Sequence, residues 1–400
     1  MVVSDLGYGI ATAPRDSAAA GIGRAVQMAV VGVSVSRTCG VRDHAVLLAD
    51  ALGHENVSCS LHWLWRSETS LRGAHAEIRA WTRALATELE AAQPDAVLLH
   101  YSTFAYSHRG LPLFVRPTLA AARGARVPLV SMLHEFAYPW THAGWRGYAW
   151  AFTQRAALFE IMHASAAALA TTDLRVQWLT SRPWLPKRPV AFAPVFSNLP
   201  PPAIRARPDR PGFLIGMFGY AFEGAEAALV LGAVCDLRER GHDVQLLLLG
   251  SPGRPSRAAD AWLAAARRSG IDHALSFSGV MPAQGLSDAL AGCDILVSAF
   301  VSGPSSRKGT LAGSLASGRP VIAIDGPRGW SELIRSEAVQ VVAPTSRALA
   351  DAIGALLADE PRREALGARG RAFAENRMGV SRTANAVTAL LGDILREPAS

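Results

Sequence analysis

Two doubly wound α/β domains, each built on a parallel sheet, are the architecture this sequence predicts, and three observations predict it. Short, wholly apolar runs alternate with stretches of helical spacing. The alternation is broken near the middle by Asn198–Pro211, with five prolines in fourteen residues, and it then restarts. Runs that are apolar throughout suit strands buried on both faces, as in parallel sheets covered by helices. At 400 residues the chain is also long enough for two cores, since single domains centre on roughly 100–150 residues.

The first strand is predicted at Met28–Val33, followed by a helix from His44 to Gly53 with Ala45, Leu48 and Leu52 at helical spacing. Further strands follow at Asp95–Tyr101, Val127–Leu133 and Ala167–Thr171, with a longer helix over Ala74–Ala91. The proline-rich stretch can continue neither helix nor strand, so the domain boundary is placed there. Beyond it the spacing predicts strands at Phe213–Phe218, Val244–Leu249, Ala274–Phe277, Ile295–Ser298, Pro320–Ile324 and Val339–Val342. The helices between them are predicted at Ala225–Arg238, Arg257–Ser269, Pro282–Ala291 and Thr310–Ser317. From Arg347 onward the chain reads as helical. The expected organisation is a loose tail over 1–26, a first domain over 27–205 and a second over 206–378. A terminal helix over 379–400 would pack back toward the first domain.

Composition narrows the function. Half the residues are hydrophobic and 18% are charged, which fits buried sheets. The tail lacks the basic start and unbroken apolar core of a secretory signal, and no run reaches the ~20 apolar residues that cross a bilayer. A cytoplasmic protein is expected, with peripheral contact at the inner membrane face left open. Cys39, Cys59, Cys235 and Cys293 are too scattered for a disulfide framework or zinc site. The net charge of +7 has no clustered basic-aromatic platform behind it, so nucleic acid is not an expected partner and a phosphate-bearing small molecule is.

The most informative stretch is the Gly- and Ser-rich turn from Ser302 that ends at Lys308-Gly309-Thr310 and opens a helix. A helix entrance offers unpaired N–H groups and a positive dipole end, to which Arg307 and Lys308 add full charges. A diphosphate suits that place. Gly309 would let a phosphate approach, and Thr310 could cap the helix or donate its hydroxyl.

From here the order of landmarks resembles the retaining nucleotide-sugar glycosyltransferases of the GT-B fold, chiefly family four, over residues 27–395. The landmarks are Gly40-Val41 after the first strand, Pro194–Pro200 and Gly216–Gly219, then Phe277-Ser-Gly279-Val280-Met281-Pro282, Ala291–Ser298 and Ala316–Ala323. The resemblance implies two lobes facing across a cleft and a nucleotide-diphosphate sugar as co-substrate, with no resident cofactor. It places Gly40, Val41, Gly219, Ser306, Arg307, Lys308, Gly309, Thr310 and Leu311 around the donor diphosphate. Gly279, Val280, Met281 and Gly313 would lie by its base and ribose. Arg42, Asp43, Tyr138 and Trp140 would lie toward the acceptor. His134 would stand in the cleft as a catalytic group, free to titrate near neutral pH, with Glu135 orienting it or binding acceptor.

The departures are specific. The family's two glutamates eight residues apart fall on Ser305 and Gly313, and Glu223-Gly224 stands where its Lys-Gly pair would be. Arg307 and Lys308 are therefore expected to supply the missing positive charge from the opposite loop. The aromatic run Phe136–Phe152 reads first as helix packing on the first domain, and otherwise as a sugar-stacking or lipid-facing surface. No Asp-x-Asp pair occurs, so metal-independent transfer is expected. Two rival readings stay open, a non-catalytic sugar-nucleotide-binding or scaffold relative and a nucleotide-sugar epimerase of the same architecture. A dinucleotide oxidoreductase is disfavoured, because the first strand leads into Gly32–Gly40 and not into a Gly-x-Gly-x-x-Gly turn.

Overall fold

A computed structural model describes residues 25–37, 39–140, 144–203, 210–219, 224–250 and 256–396. The first half contributes β1 (Val26–Ser34), α1 (Gly40–Gly53), β2 (Val57–Trp65), α2 (Leu71–Ala92), β3 (Ala96–Tyr101) and α3 (Val115–Gly124). It continues with β4 (Leu129–Leu133), α4 (Gly144–Ala164), β5 (Ala167–Ala170), α5 (Asp173–Ser181) and β6 (Val190–Phe192). The second half contributes β7 (Phe213–Phe218), α6 (Ala225–Glu239), β8 (Val244–Leu249), α7 (Arg257–Arg268), β9 (Leu275–Gly279) and α8 (Ala283–Ala291). Then come β10 (Ile295–Ser298), α9 (Gly309–Ala316), β11 (Val321–Ile324), α10 (Ser331–Arg335), β12 (Gln340–Val342), α11 (Ser346–Ala358), α12 (Glu360–Arg377) and α13 (Val380–Arg396).

These strands form two six-stranded parallel sheets, ordered β2-β1-β3-β4-β5-β6 and β12-β11-β10-β7-β8-β9. Their apolar character follows from alternation. Along β1, Ala29, Val31 and Val33 enter the core beneath α2, α3 and α4, while Met28 and Val30 enter the opposite core with Leu48 and Leu52 of α1. Both faces are covered, so no polar alternation survives. The chain's last helix closes the second of these cores, for Ala384, Val387, Leu390 and Leu391 of α13 pack among Met28, Val30 and Leu48.

Several expectations need correction. The first sheet holds six strands where four were expected. β2 is an edge strand whose Ser58 and Ser60 are exposed, and β6 is only three residues long. β1 starts at Val26, inside the expected tail. The helix α1 begins at Gly40, four residues ahead of the expected start, with Asp43 in its first turn favouring the dipole. Residues 1–24 and 204–209, where the tail and the exact domain boundary were placed, lie outside the described residues. The aromatic run divides. Trp150 packs edge-on against Tyr138 and Phe104, but Trp145, Tyr148 and Phe152 on the same helix are exposed, so packing accounts for only part of it.

At the end of β1 the backbone is fixed by a close approach. A Cβ on Gly32 would fall inside the Trp63 indole, whose Nε1 donates to Ser34 Oγ at 2.8 Å. Only glycine admits that ring across the strand pair. Gly32→Ala should therefore destabilise the chain by about 1–3 kcal/mol in denaturant unfolding, as overpacking does. Adding Trp63→Leu should recover most of the loss, and equal stability of Gly32→Ala and wild type would contradict this packing.

Candidate functional site

In each sheet the strand order reverses at one point, between β1 and β3 in the first and between β7 and β10 in the second. Ligands of open α/β sheets bind outside the carboxyl ends of strands at such reversals. An open cavity of about 1180 Å³ lies there, between the lobes. From the first lobe it is lined by Gly40 and Val41 after β1, by Ser102 and Phe104 after β3, and by His134 and Glu135 after β4. The second lobe contributes Arg307, Lys308 and Gly309.

The second-lobe wall is the loop from β10 into α9. Lys308 is the N-cap residue, with φ −100° and ψ 102°, and no side chain caps the helix. Thr310 therefore does not cap, contrary to expectation; it stands inside the first turn, and its Oγ1 is buried without a partner. The first N–H groups of α9 are left available to a ligand. Ser306 also departs from its expected role. Its side chain is buried, its Oγ donates to Thr171 O at 2.8 Å, and its carbonyl accepts from Val195 N at 2.8 Å. It ties the loop to the first lobe instead of meeting a ligand with its hydroxyl.

The charges here are half-buried and crowded. Burial, then the neighbouring Arg307, pulls the Lys308 ammonium down to about 8, against a raising influence from Glu226 of α6. Its Nζ sits 3.8 Å from the centre of the Phe300 ring. Arg307 is lowered by burial and by Arg328, while Glu135 attracts it. Arg175 of α5 is lowered to about 10, by burial first and Arg307 next. Crowded cations with depressed pKa values mark a site prepared for negative charge.

On the first lobe His134 is not a near-neutral titrating group. Burial, with Arg175 beside it, brings it down to about 3, so the imidazole is neutral at ordinary pH. Nor does Glu135 orient it. The Glu135 carboxylate accepts from Ser102 Oγ at 2.9 Å and Phe104 N at 3.2 Å, whereas His134 Nε2 pairs with His100 Nδ1 at 2.9 Å. His44 stacks on Phe196 with centroids 4.0 Å apart and meets His134 edge-on at 4.9 Å. His44 and His100 are both buried, and burial holds both well below their ordinary pKa. The ligand nitrogens of these three lie within 4.8 Å of one another, the one such group among the described residues that could hold a metal ion.

The remaining expected residues scatter. Leu311 is buried in the second-lobe core, and Gly219 donates its N–H to Leu249 O at the end of β7. Gly279, Val280 and Met281 line no part of the cleft; Val280 is exposed and Met281 packs on the second-lobe core. Gly313 does not face the cleft either. A Cβ there would stand 3.1 Å from Phe218 Cε1 and 3.3 Å from Leu199 Cδ1, so a larger side chain needs both to shift. Arg42 lies over Trp65 at 5.1 Å, and neither it nor Asp43 lines the cleft. Tyr138 and Trp140 are likewise outside it; Trp140 stacks on Arg155 at 4.3 Å. Glu223 lies outside the described residues. Sequence reasoning missed His44, His100, Arg175 and Arg328, which no spacing singles out because they converge from separate elements.

Residues 213–359 match the family model described as Glycosyl transferases group 1, a little over a third of the chain. Among solved structures, sucrose-phosphate synthase from Thermosynechococcus elongatus superposes with a TM-score of 0.67 at 16% identity, covering 91% of this chain and 98% of that one. The fold is GT-B. The Anabaena Alr3699/HepE complex with UDP and glucose has a TM-score of 0.62 at 14% identity, again with 91% and 98% covered. WaaG, a glycosyltransferase involved in lipopolysaccharide biosynthesis, has a TM-score of 0.63 at 13% identity, with 90% and 99% covered. Comparison with curated protein sequences gives no match. No helix among the described residues is long and apolar enough to cross a membrane. In GT-B terms, the cavity described above is the interlobe cleft.

The buried histidines beside this GT-B cleft predict a pH dependence. Their folded pKa values are depressed, so the unfolded chain, titrating near 6.5, binds protons that the folded chain refuses. Stability is then full above about 6.5 and declines as pH falls toward the His134 value of about 3, by up to about 1.4 kcal/mol per pH unit for each histidine. Denaturant unfolding at pH 7 and pH 5 should show this loss in wild type and a smaller one in His100→Gln. Equal slopes in the two proteins would contradict the burial argument.

Proposed function

We propose that this chain transfers a sugar from a nucleotide-diphosphate donor to an acceptor hydroxyl, with retention as the family resemblance implies. The observation that carries the reading is the uncapped entrance of α9, flanked by Arg307 and Lys308, facing the Gly40 loop across the cleft. A departing diphosphate develops charge, and fixed N–H dipoles with two cations in a partly dry site stabilise that charge more than water would. Gly309 admits the phosphate closely, since a Cβ there would meet only Val195 Cγ1, at 3.6 Å. Its neighbours do the electrostatic work.

His134, neutral and held by His100, would exchange a hydrogen bond with a hydroxyl of the transferring sugar. It would not act as a charged acid. The chemistry needs no resident cofactor or metal, because the positive charge comes from the chain. The epimerase alternative requires carboxylates poised for proton abstraction; Glu135, the carboxylate lining the cleft, is already bonded to Ser102 and Phe104. The scaffold alternative predicts binding without turnover.

A panel of nucleoside diphosphates, beginning with UDP because the Anabaena neighbour's complex contains it, tests the reading by thermal shift. At least one member should raise the midpoint by mass action, by about 2.7 kcal/mol of stabilisation at a hundredfold excess over Kd. Arg307→Ala with Lys308→Ala should abolish the response. The Lys308 charge fades above its value of about 8, so affinity should weaken between pH 7 and pH 9, and Lys308→Arg should remove that dependence. A panel with no responding member would overturn the proposal, and binding without donor hydrolysis or transfer would favour the scaffold.

A further inference from the structure

Beside the interlobe cleft, and separate from it, a second cavity of about 860 Å³ opens between the lobes. Phe136, Trp178 and Trp330 form apolar parts of its wall, and Ser305 and Ser306 come from the second lobe. Four guanidinium groups also line it: Arg155 and Arg175 from the first lobe, Arg307 and Arg328 from the second. Gly40, Lys308 and Gly309, which line the other cavity, do not reach this one, and Arg307 alone among the cations borders both.

The guanidinium groups differ in what they already hold. Arg155 donates from Nη1 to Tyr138 O and Ala151 O, and its plane lies over Trp140. Arg175 likewise donates from Nη1, to His134 O and Thr171 Oγ1, and lies over Phe136 at 5.3 Å, with Nε and Nη2 unused; unlike Arg155 it is close enough to Arg307 and Arg328 to be lowered by both. Arg307 and Arg328 make no side-chain hydrogen bond among the described residues, and no carboxylate there forms an ion pair with Arg175, Arg307 or Arg328. Glu135 attracts Arg175 and Arg307, but its carboxylate is bonded to Ser102 and Phe104. Asp173 stands at the wall with its Oδ1 accepting from Leu174 N. Three forks therefore converge on one pocket with a surplus of positive charge and unused donors.

Resting on the transferase reading, we propose that this pocket receives a phosphate monoester carried by the acceptor. Three guanidinium forks match the three terminal oxygens of a phosphate, a fit that a carboxylate with two oxygens uses only in part. The aromatic walls would flank the apolar or ring portion that bears it. Arg307, shared by both cavities, sets the acceptor phosphate next to the place where the donor diphosphate departs. The acceptor hydroxyl is thereby positioned at the junction of the two.

The test uses the full chain saturated with the nucleoside diphosphate that the panel identifies, titrated calorimetrically with inorganic phosphate at constant ionic strength. Wild type should bind phosphate, and Arg328→Ala, an exposed residue whose loss leaves the fold intact, should weaken it about fivefold or more, with Arg328→Lys intermediate. Arg328→Ala should keep its thermal response to the nucleotide, so a loss confined to phosphate separates this pocket from the donor site. Absence of phosphate binding, or binding unchanged by Arg328→Ala, overturns the proposal while leaving the transferase reading untouched. Displacement of bound phosphate by glucose 6-phosphate assigns a soluble acceptor, and displacement by vesicles containing phosphatidic acid assigns a lipid one. Displacement by neither limits the pocket to a free anion and overturns the acceptor assignment.

Discussion

Two hydrogen bonds on Ser306 hold the site together. Its hydroxyl reaches the Thr171 carbonyl and its own carbonyl receives the Val195 N–H, both at 2.8 Å. Because the residue is buried, breaking either bond would strand polar groups without water. The loop that follows is therefore fixed against the first lobe before any ligand arrives. Arg307, Lys308 and the open end of α9 inherit their positions from that tie, and so do both cavities that Arg307 borders.

The distribution of charge follows the same division. The second lobe brings the cations of the cleft, and burial makes them costly, as the lowered pKa values of Lys308 and Arg307 record. On the cleft wall the first lobe answers, apart from Glu135, with groups that carry no charge, the neutral imidazoles of His44 and His134 and the backbone around Gly40. A site with cations on one wall and neutral donors on the other attracts an anion without trapping it in a paired salt bridge. Glu135 tempers the field and is itself held by Ser102 and the Phe104 N–H.

Much of the frame was legible in the chain. β7, β8 and β10 fall on the expected residues, because each is a nearly unbroken apolar run of strand length. β2 was not legible, since an edge strand with exposed serines lacks that pattern, and β6 is too short to carry one. Within the site, the helix entrance at Gly309 was readable from glycine and charge. The partner of His134 was not. His100 lies 34 residues earlier and meets it only because β3 and β4 are neighbours in register. Likewise Gly313 could be counted as a missing glutamate, but the packing of Phe218 and Leu199 beside it exists only in three dimensions.

The central claim is that α9 and its two flanking cations grip a diphosphate between the lobes. A crystal structure of the chain with a bound nucleoside diphosphate tests it most directly. The account predicts phosphate oxygens within about 3.2 Å of the Gly309 or Thr310 backbone nitrogen, with Arg307 or Lys308 turned onto them. A diphosphate bound elsewhere, with the first turn of α9 facing only solvent, would contradict it.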